Sequence, residues 1–440
     1  MSYTNSETVI DRLMRPFVRF LHVESASGIV LLICTVVALT VANSPWAADF
    51  ANFWETRLTV AIGTFELSKP LLHWVNDGLM TIFFFVVGLE IKRELVAGEL
   101  RDPKKAALPI MAAFGGMVAP ATVYLLLQNG QPGEPGWGIP MATDIAFVVG
   151  FLALLGRRVP LGLKILLLSL AIADDIGAVL VIAVFYSTNI SFKFLSVAAL
   201  GFGLTFALNR IGVRRVTIYL FIGAAIWFAF LKSGVHPTVA GVLLGLMTPA
   251  SAWVGDKALG EVVRDFWHGL RDDLDRQIER QHKPMLGQLR YVVREAVSPL
   301  ERLEIGLHPW VAFVIMPTFA LANAGVTVEL HELRDPVALA VMAGLVLGKP
   351  IGILLFSLIA VRIGMARLPT GVDWKVMIGA GFLAGIGFTM SLFIAGLALD
   401  GELLEAAKIG ILTGSALCAV LGSLFLLRFL PDSGRQQLPG

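Results

Sequence analysis

Charge is scarce in this chain. Only 15% of its 440 residues are Asp, Glu, Lys or Arg, against 56% hydrophobic residues, where a soluble domain carries about 25% charged residues. That excludes an ordinary soluble globule and points to a multi-spanning membrane protein. The net charge is +2, and the basic residues are scattered at the ends of apolar runs, so there is no nucleic-acid footprint. The two cysteines, Cys34 and Cys418, lie in apolar runs near opposite ends of the chain. They read as small buried hydrophobes, which leaves out a disulfide framework and a thiolate metal site. There is no nucleotide-binding loop and no catalytic triad, so an enzyme reading is poor, and no cofactor is expected. The N-terminus is no cleavable signal either: Arg12, Arg15 and Arg19 fall within an amphipathic pattern rather than ahead of an apolar core.

What the chain has instead is apolar runs near bilayer-spanning length, about 20 residues. An all-α polytopic fold with twelve spans is expected. The spans fall at about 27–43, 71–90, 105–127, 140–155, 162–186, 192–209, 215–231 and 236–249, then from His308, and at about 335–361, 375–399 and 404–430. Residues 1–26 read as a cytoplasmic segment. Within it, 6–22 forms an amphipathic helix on the membrane surface, its stripe made by Val9, Ile10, Leu13, Met14, Phe17 and Leu21. Residues 46–70 depart from the helical pattern. Leu58, Val60 and Ile62 alternate up to Gly63-Thr64, and Phe65 and Leu67 after it, which predicts a small β-hairpin on the extracytoplasmic side. It serves as a dimer contact or as a plain loop; a homodimer is expected. Spans one to eight occupy 27–250 and spans nine to twelve 304–430, joined by a cytoplasmic amphipathic connection at 251–303 and followed by a tail at 431–440. Connections rich in basic residues, such as Lys92 to Lys105, Arg157 to Lys164 and Arg210 to Arg215, alternate with connections holding only Arg57, Lys69, Lys193, Lys232, Arg334 or Lys408. Positive residues stay inside, so both termini are placed in the cytoplasm.

Against this background a few ionisable residues stand out. Asp174 and Asp175 sit midway along the apolar run from Ile165 to Tyr186. One aspartate at the centre of a membrane helix costs about 2.5–3.5 kcal/mol, so two in a row call for a reason. Helix neighbours point about 100° apart, so one carboxylate can face a neighbouring helix while the other faces a water-filled cavity. Asp144 and Lys349 are the other deep charges, and a buried lysine calls for a carboxylate partner. Sodium or lithium suits carboxylates, carbonyls, a Thr hydroxyl and water, and the same carboxylates bind protons. A site that holds either, opening to each side in turn, performs exchange. A passive cation channel and a proton-coupled carrier of a small organic solute remain as rivals; the first moves sodium without protons, and the second responds to its solute rather than to sodium.

Two spans look breakable. The fourth is entered through Gly138, Ile139 and Pro140; the eleventh holds Gly379, Gly381, Gly385 and Gly387, then Phe388-Thr389-Met390-Ser391. Interruption leaves partly charged helix ends within the membrane. Asp144 would then offset N-termini and Lys349 C-termini. The alternative is that the glycines only let helices pack closely. Spans three to five and ten to twelve start on opposite sides, as an inverted repeat requires.

With these residues assembled, the sequence resembles the NhaA-type bacterial sodium/proton antiporters over about 10–430. The resemblance rests on Gly-Leu-Glu-Ile-Lys-Arg-Glu-Leu at 88–95, Thr-Asp-Ile-Ala-Phe at 143–147, Ala-Asp-Asp-Ile-Gly-Ala at 173–178, Gly-Val-His-Pro-Thr-Val-Ala-Gly at 234–241, Leu-His-Pro-Trp-Val at 307–311, Asn-Ala-Gly-Val at 323–326, Gly-Lys-Pro-Ile-Gly at 348–352 and Gly-Phe-Thr-Met-Ser at 387–391. It implies electrogenic exchange of two protons for one Na+ or Li+ across the bacterial inner membrane. It implies that Asp175 is the principal cation and proton carrier, with Na+ held at Asp174 and Asp175 as cargo. Asp174 matches the acid that pairs or swaps protons with Lys349, and Thr143 and Asp144 match the interrupted fourth helix. Glu90, Arg93, Glu94, Glu304 and His308 match a cytoplasmic region linked to pH activation, and His236 a modulator of pH response. Two departures touch the pH profile: 251–303 is longer than the family's usual connection, and Ile305 stands where some relatives place a histidine.

Overall fold

The computed structural model describes residues 24–251, 264, 297–327 and 332–430, apart from residues 64, 188 and 214. The amphipathic helix expected at 6–22, nearly all of the 251–303 connection and the 431–440 tail lie outside the described residues.

The chain is nearly all helix, as its apolar runs require: in hydrocarbon a backbone must satisfy its own polar groups. The elements are α1 (Glu24–Ala42), α2 (Ala47–Glu55), strands β1 (Arg57–Ile62) and β2 (Phe65–Pro70), α3 (Met80–Val96), α4 (Pro103–Gln128), α5 (Ile145–Leu155), α6 (Leu161–Phe185), α7 (Phe192–Ile211), α8 (Val216–Ser233) and α9 (Thr238–Met247). Then come α10 (Pro299–Trp310), α11 (Met316–Asn323), α12 (Pro336–Ala343), α13 (Lys349–Arg362), α14 (Trp374–Ala384), α15 (Phe388–Ala398) and α16 (Gly401–Phe429). π-helical turns at Trp74–Leu79, Val311–Ile315 and Gly344–Gly348 run into α3, α11 and α13.

This is a multi-pass membrane protein. Among the described residues, eight helices are long and apolar enough to cross a membrane, or ten if each of two bent pairs is one span. Length and apolarity alone do not reach twelve. Glu90, Lys92, Arg93 and Glu94 gather at the end of α3, and α9 has only 10 residues. The helix expected to start at His308 starts at Pro299, because Ser298 and Glu301 form a capping box that carries it past the apolar window.

The hairpin pairs Leu58 with Lys69, Val60 with Leu67 and Ile62 with Phe65 in an antiparallel register. The segment before it is helical, contrary to the non-helical reading of 46–70. Phe50, Phe53 and Trp54 fall on one helical face, with edge-on rings 6.2 Å and 5.0 Å from Trp54.

Small residues set how closely the spans pack. A Cβ on Gly245 would lie 2.8 Å from the Cα of Gly88, so α9 and α3 touch backbone to backbone. The crossing of α4 and α13 is as tight: a Cβ on Gly352 would sit 2.7 Å from that of Ala119. Overpacking such a contact costs about 1–3 kcal/mol or more. Gly352→Leu is therefore expected to lower the melting temperature in detergent by several degrees. Leu347→Ala, at a side chain 56% exposed to the bilayer, should leave it unchanged.

Candidate functional site

Both bent or broken segments meet beside α6. Ahead of α5 the chain runs as a 3-10 helix, Glu134–Met141, and then as three extended or loop residues, Ala142, Thr143 and Asp144. Gly385, Ile386 and Gly387 separate α14 from α15, which are bent by 46°. The breaks hydrogen-bond to each other: Asp144 N–H donates to Ile386 O at 2.7 Å. The glycines also pack closely, Gly381 on Pro350 and Gly385 on Cys418, so interruption and close approach occur together.

Each broken end finds a counter-group. Asp144 is the N-cap of α5, its carboxylate accepting from Phe147 N–H at 3.3 Å. The same carboxylate accepts from the N–H of Thr389 at 3.1 Å, in the first turn of α15, and from the Thr389 hydroxyl. The preceding amide, Phe388 N–H, donates to Ser415 Oγ on α16 at 3.1 Å. One negative group thus serves two positive helix ends. Among the described residues no cation pairs with Asp144; its partners are amide and hydroxyl donors. At the opposite polarity, Lys349 Nζ donates to Met141 O, the last carbonyl of the 3-10 helix.

Lys349 has a second partner, the carboxylate of Asp174, with Nζ 2.8 Å from Oδ2 and both side chains fully buried. Thr143 Oγ1 lies 2.6 Å from the same oxygen and 2.9 Å from Ala384 O, the end of α14. The other carboxylate oxygen, Asp174 Oδ1, is buried without a hydrogen-bond donor from the protein. Asp175, one residue on, points elsewhere. It lines a cavity of about 640 Å³ together with Thr143 and Asp144. Neither Asp174 nor Lys349 lines that cavity. The 100° between helix neighbours thus puts one acid in a packed ion pair and the other on an open wall.

The cavity extends to Glu90 and Arg93 on α3, Glu304 and His308 on α10, and Lys164 at the start of α6. Arg93 is ion-paired with Glu304 across the two helices. Glu94 stays beside Arg93, at 3.8 Å, and accepts from Glu99 N–H instead of lining the cavity. His236 is not brought to this site. Its Nε2 lies 3.7 Å from Asp77 and its Nδ1 2.7 Å from Thr238 Oγ1, with the ring edge-on to Phe393. Sequence reasoning assigned no role to Thr389, Ser391 or Ser415, which complete the crossing. The one signal was carried by Thr389 and Ser391, hydroxyl residues just after a glycine-rich break; Ser415 carried none.

A family model described as Na+/H+ antiporter 1 matches residues 18–426. The Na(+)/H(+) antiporter NhaA of Rhodopirellula baltica is 54% identical over 428 residues, 97% of either chain. NhaA 2 of Acidiphilium cryptum is 51% identical over 97% of this chain and 94% of its own.

Removing one partner of a buried ion pair strands the other, at a cost of about 3–5 kcal/mol. Lys349→Ala is expected to melt well below the parent in detergent, and Asp174→Asn in that background to recover part of the loss. A Lys349→Ala melting curve equal to the parent's would contradict the pair.

Proposed function

Since the chain belongs to the Na+/H+ antiporter 1 family, we propose that it is a secondary antiporter that exchanges sodium for protons across the bilayer. The observation that carries this reading is the division of labour on α6: Asp175 on the wall of an open cavity, Asp174 in a dry pair with Lys349. A hydrated cation entering past Glu90, Arg93 and Glu304 finds Asp175 and Asp144 as the aspartates on the cavity wall. Hard cations prefer oxygen, and the cavity wall offers the oxygens of Asp175, Asp144 and Thr143, with the unengaged Oδ1 of Asp174 buried off the cavity as a further ligand. Protons occupy the same carboxylates, so a cation and protons displace one another. Such coupled acids titrate as a group.

Two protons enter for each Na+ or Li+ that leaves, the second carried by Asp174 or by Lys349. Twelve segments cross the membrane, counting Leu71–Val96, the 3-10 helix with α5, α10 with α11, α12 with α13, and α14 with α15 as one span each. Spans three to five and ten to twelve form inverted repeats around the crossing of the fourth and eleventh. The Arg93 and Lys164 end of the cavity belongs to the basic, cytoplasmic side, so the cavity is the inward-facing one. Access alternates as the repeats rock about the crossing. The protein lies in the inner membrane with both termini inside, and two copies pair. Glu90, Arg93, Glu94, Glu304 and His308 tune activity with pH at the cavity mouth; His236 acts from the hairpin side.

The test is sodium-induced dissipation of a proton gradient in everted vesicles. Asp175→Asn loses the charge that holds the cation, and each 1.4 kcal/mol lost is about tenfold, so exchange should fall at least about a hundredfold in protein that inserts at parental levels. Undiminished exchange would contradict the assignment.

A further inference from the structure

The 3-10 helix Glu134–Met141 is eight residues long, whereas runs beyond about 3–4 residues are uncommon because their hydrogen bonds are poorly aligned. Pro140, inside the helix, removes one of its own donors as well. What holds it is a series of side-chain donors from four helices, spaced along its carbonyls. Tyr124 Oη on α4 donates to Gly133 O at 2.7 Å. Tyr186 Oη, at the end of α6, donates to Pro135 O at 2.9 Å and accepts from Gly138 N–H at 3.3 Å. Ser391 Oγ on α15 donates to Ile139 O at 2.7 Å. Lys349 on α13 donates to Met141 O.

The sequence is shaped to admit the two phenols. A Cβ on Gly138 would lie 2.7 Å from Tyr186 Oη, and one on Gly136 would collide with Tyr124 Oη. Tyr124 is completely buried, so its hydroxyl is there for a bond and not for solvent. Neither tyrosine lines the cavity.

The geometry points to Tyr124 and Tyr186 as positioning residues that hold the 3-10 helix in the register that sets the Met141 carbonyl against Lys349. This rests on the antiport reading above. Lys349 is shared between Met141 O and Asp174; the charged or titratable groups around it are Asp174 and Asp175 on α6 and Cys418 on α16. If the far end of the 3-10 helix slips, Lys349 leans on Asp174 alone, and Asp174 is less available to a cation or a proton. Tyr186 closes the loop, because it sits on the helix that carries both aspartates.

The experiment is sodium-dependent gradient dissipation across pH 6 to 9 (about the span in which such carboxylate clusters titrate) for Tyr124→Phe and Tyr186→Phe in the full chain. Each should raise the apparent KM for sodium about two- to tenfold, or move the pH of half-maximal exchange by roughly 0.3–1 unit, the scale of one hydrogen bond. The maximal rate per inserted protein should change less. Gly138→Ala, which displaces the Tyr186 hydroxyl, should reproduce the Tyr186→Phe shift in the parent and add nothing in the Tyr186→Phe background. Phenylalanine variants that lose only melting temperature, with KM and pH midpoint in place, would overturn the assignment, as would fully additive effects of Gly138→Ala. A parent that dissipates no gradient on sodium addition overturns the antiport reading itself; a parent that exchanges beside unmoved tyrosine variants overturns only the role of the tyrosines.

Discussion

A helix broken inside a bilayer leaves amides and carbonyls without helical partners, and everything else in this structure follows from how those ends are satisfied. Each orphan group costs several kcal/mol in hydrocarbon. Here two breaks lie side by side, so one charge serves two ends. Asp144 takes donors from the first turns of both α5 and α15. Lys349 meets the carbonyl that ends the 3-10 helix. The intervening residues bond to each other, Asp144 N–H to Ile386 O. Breaking either segment alone would leave a charge and several backbone groups unpaired; the two breaks stabilise each other.

The same arrangement makes a site. Lys349 fixes Asp174 on one side of α6, and the helical turn then throws Asp175 onto the cavity wall. A carboxylate locked to a lysine and a carboxylate open to the cavity are different chemical objects, although they are adjacent in sequence. Thr143 ties Asp174 to the crossing: its single hydroxyl proton faces Asp174 Oδ2 and Ala384 O and can be given to only one acceptor at a time.

Much of this was legible in the sequence because charge is so scarce there. Asp174, Asp175, Asp144 and Lys349 stand out against apolar neighbours, and glycines and prolines mark both breaks. The hairpin was legible from alternation around Gly63-Thr64. Less legible were elements whose signal is short. Ala47–Glu55 carries its aromatic face over barely two turns, and the helix start at Pro299 is announced by the Ser298–Glu301 box, well before the apolar window. The hydroxyls of the crossing were illegible for a physical reason. Thr35 and Thr205 donate to carbonyls four residues back in their own helices, while Thr389, Ser391 and Ser415 reach other elements. Composition and spacing do not separate the two uses; only the packing does. The π turns leave no period of their own, yet one of them delivers Lys349 to Asp174.

The proposed exchange depends on a single competition, in which a metal ion and hydrogen ions claim the same buried oxygens. It is tested most directly by titrating sodium into the purified protein in detergent by calorimetry, in two buffers of different ionisation enthalpy at one pH. Sodium binding that expels protons gives heats that differ between the buffers, and the difference disappears in Asp175→Asn. Binding heats that are identical in both buffers, with no proton released, would contradict the claim.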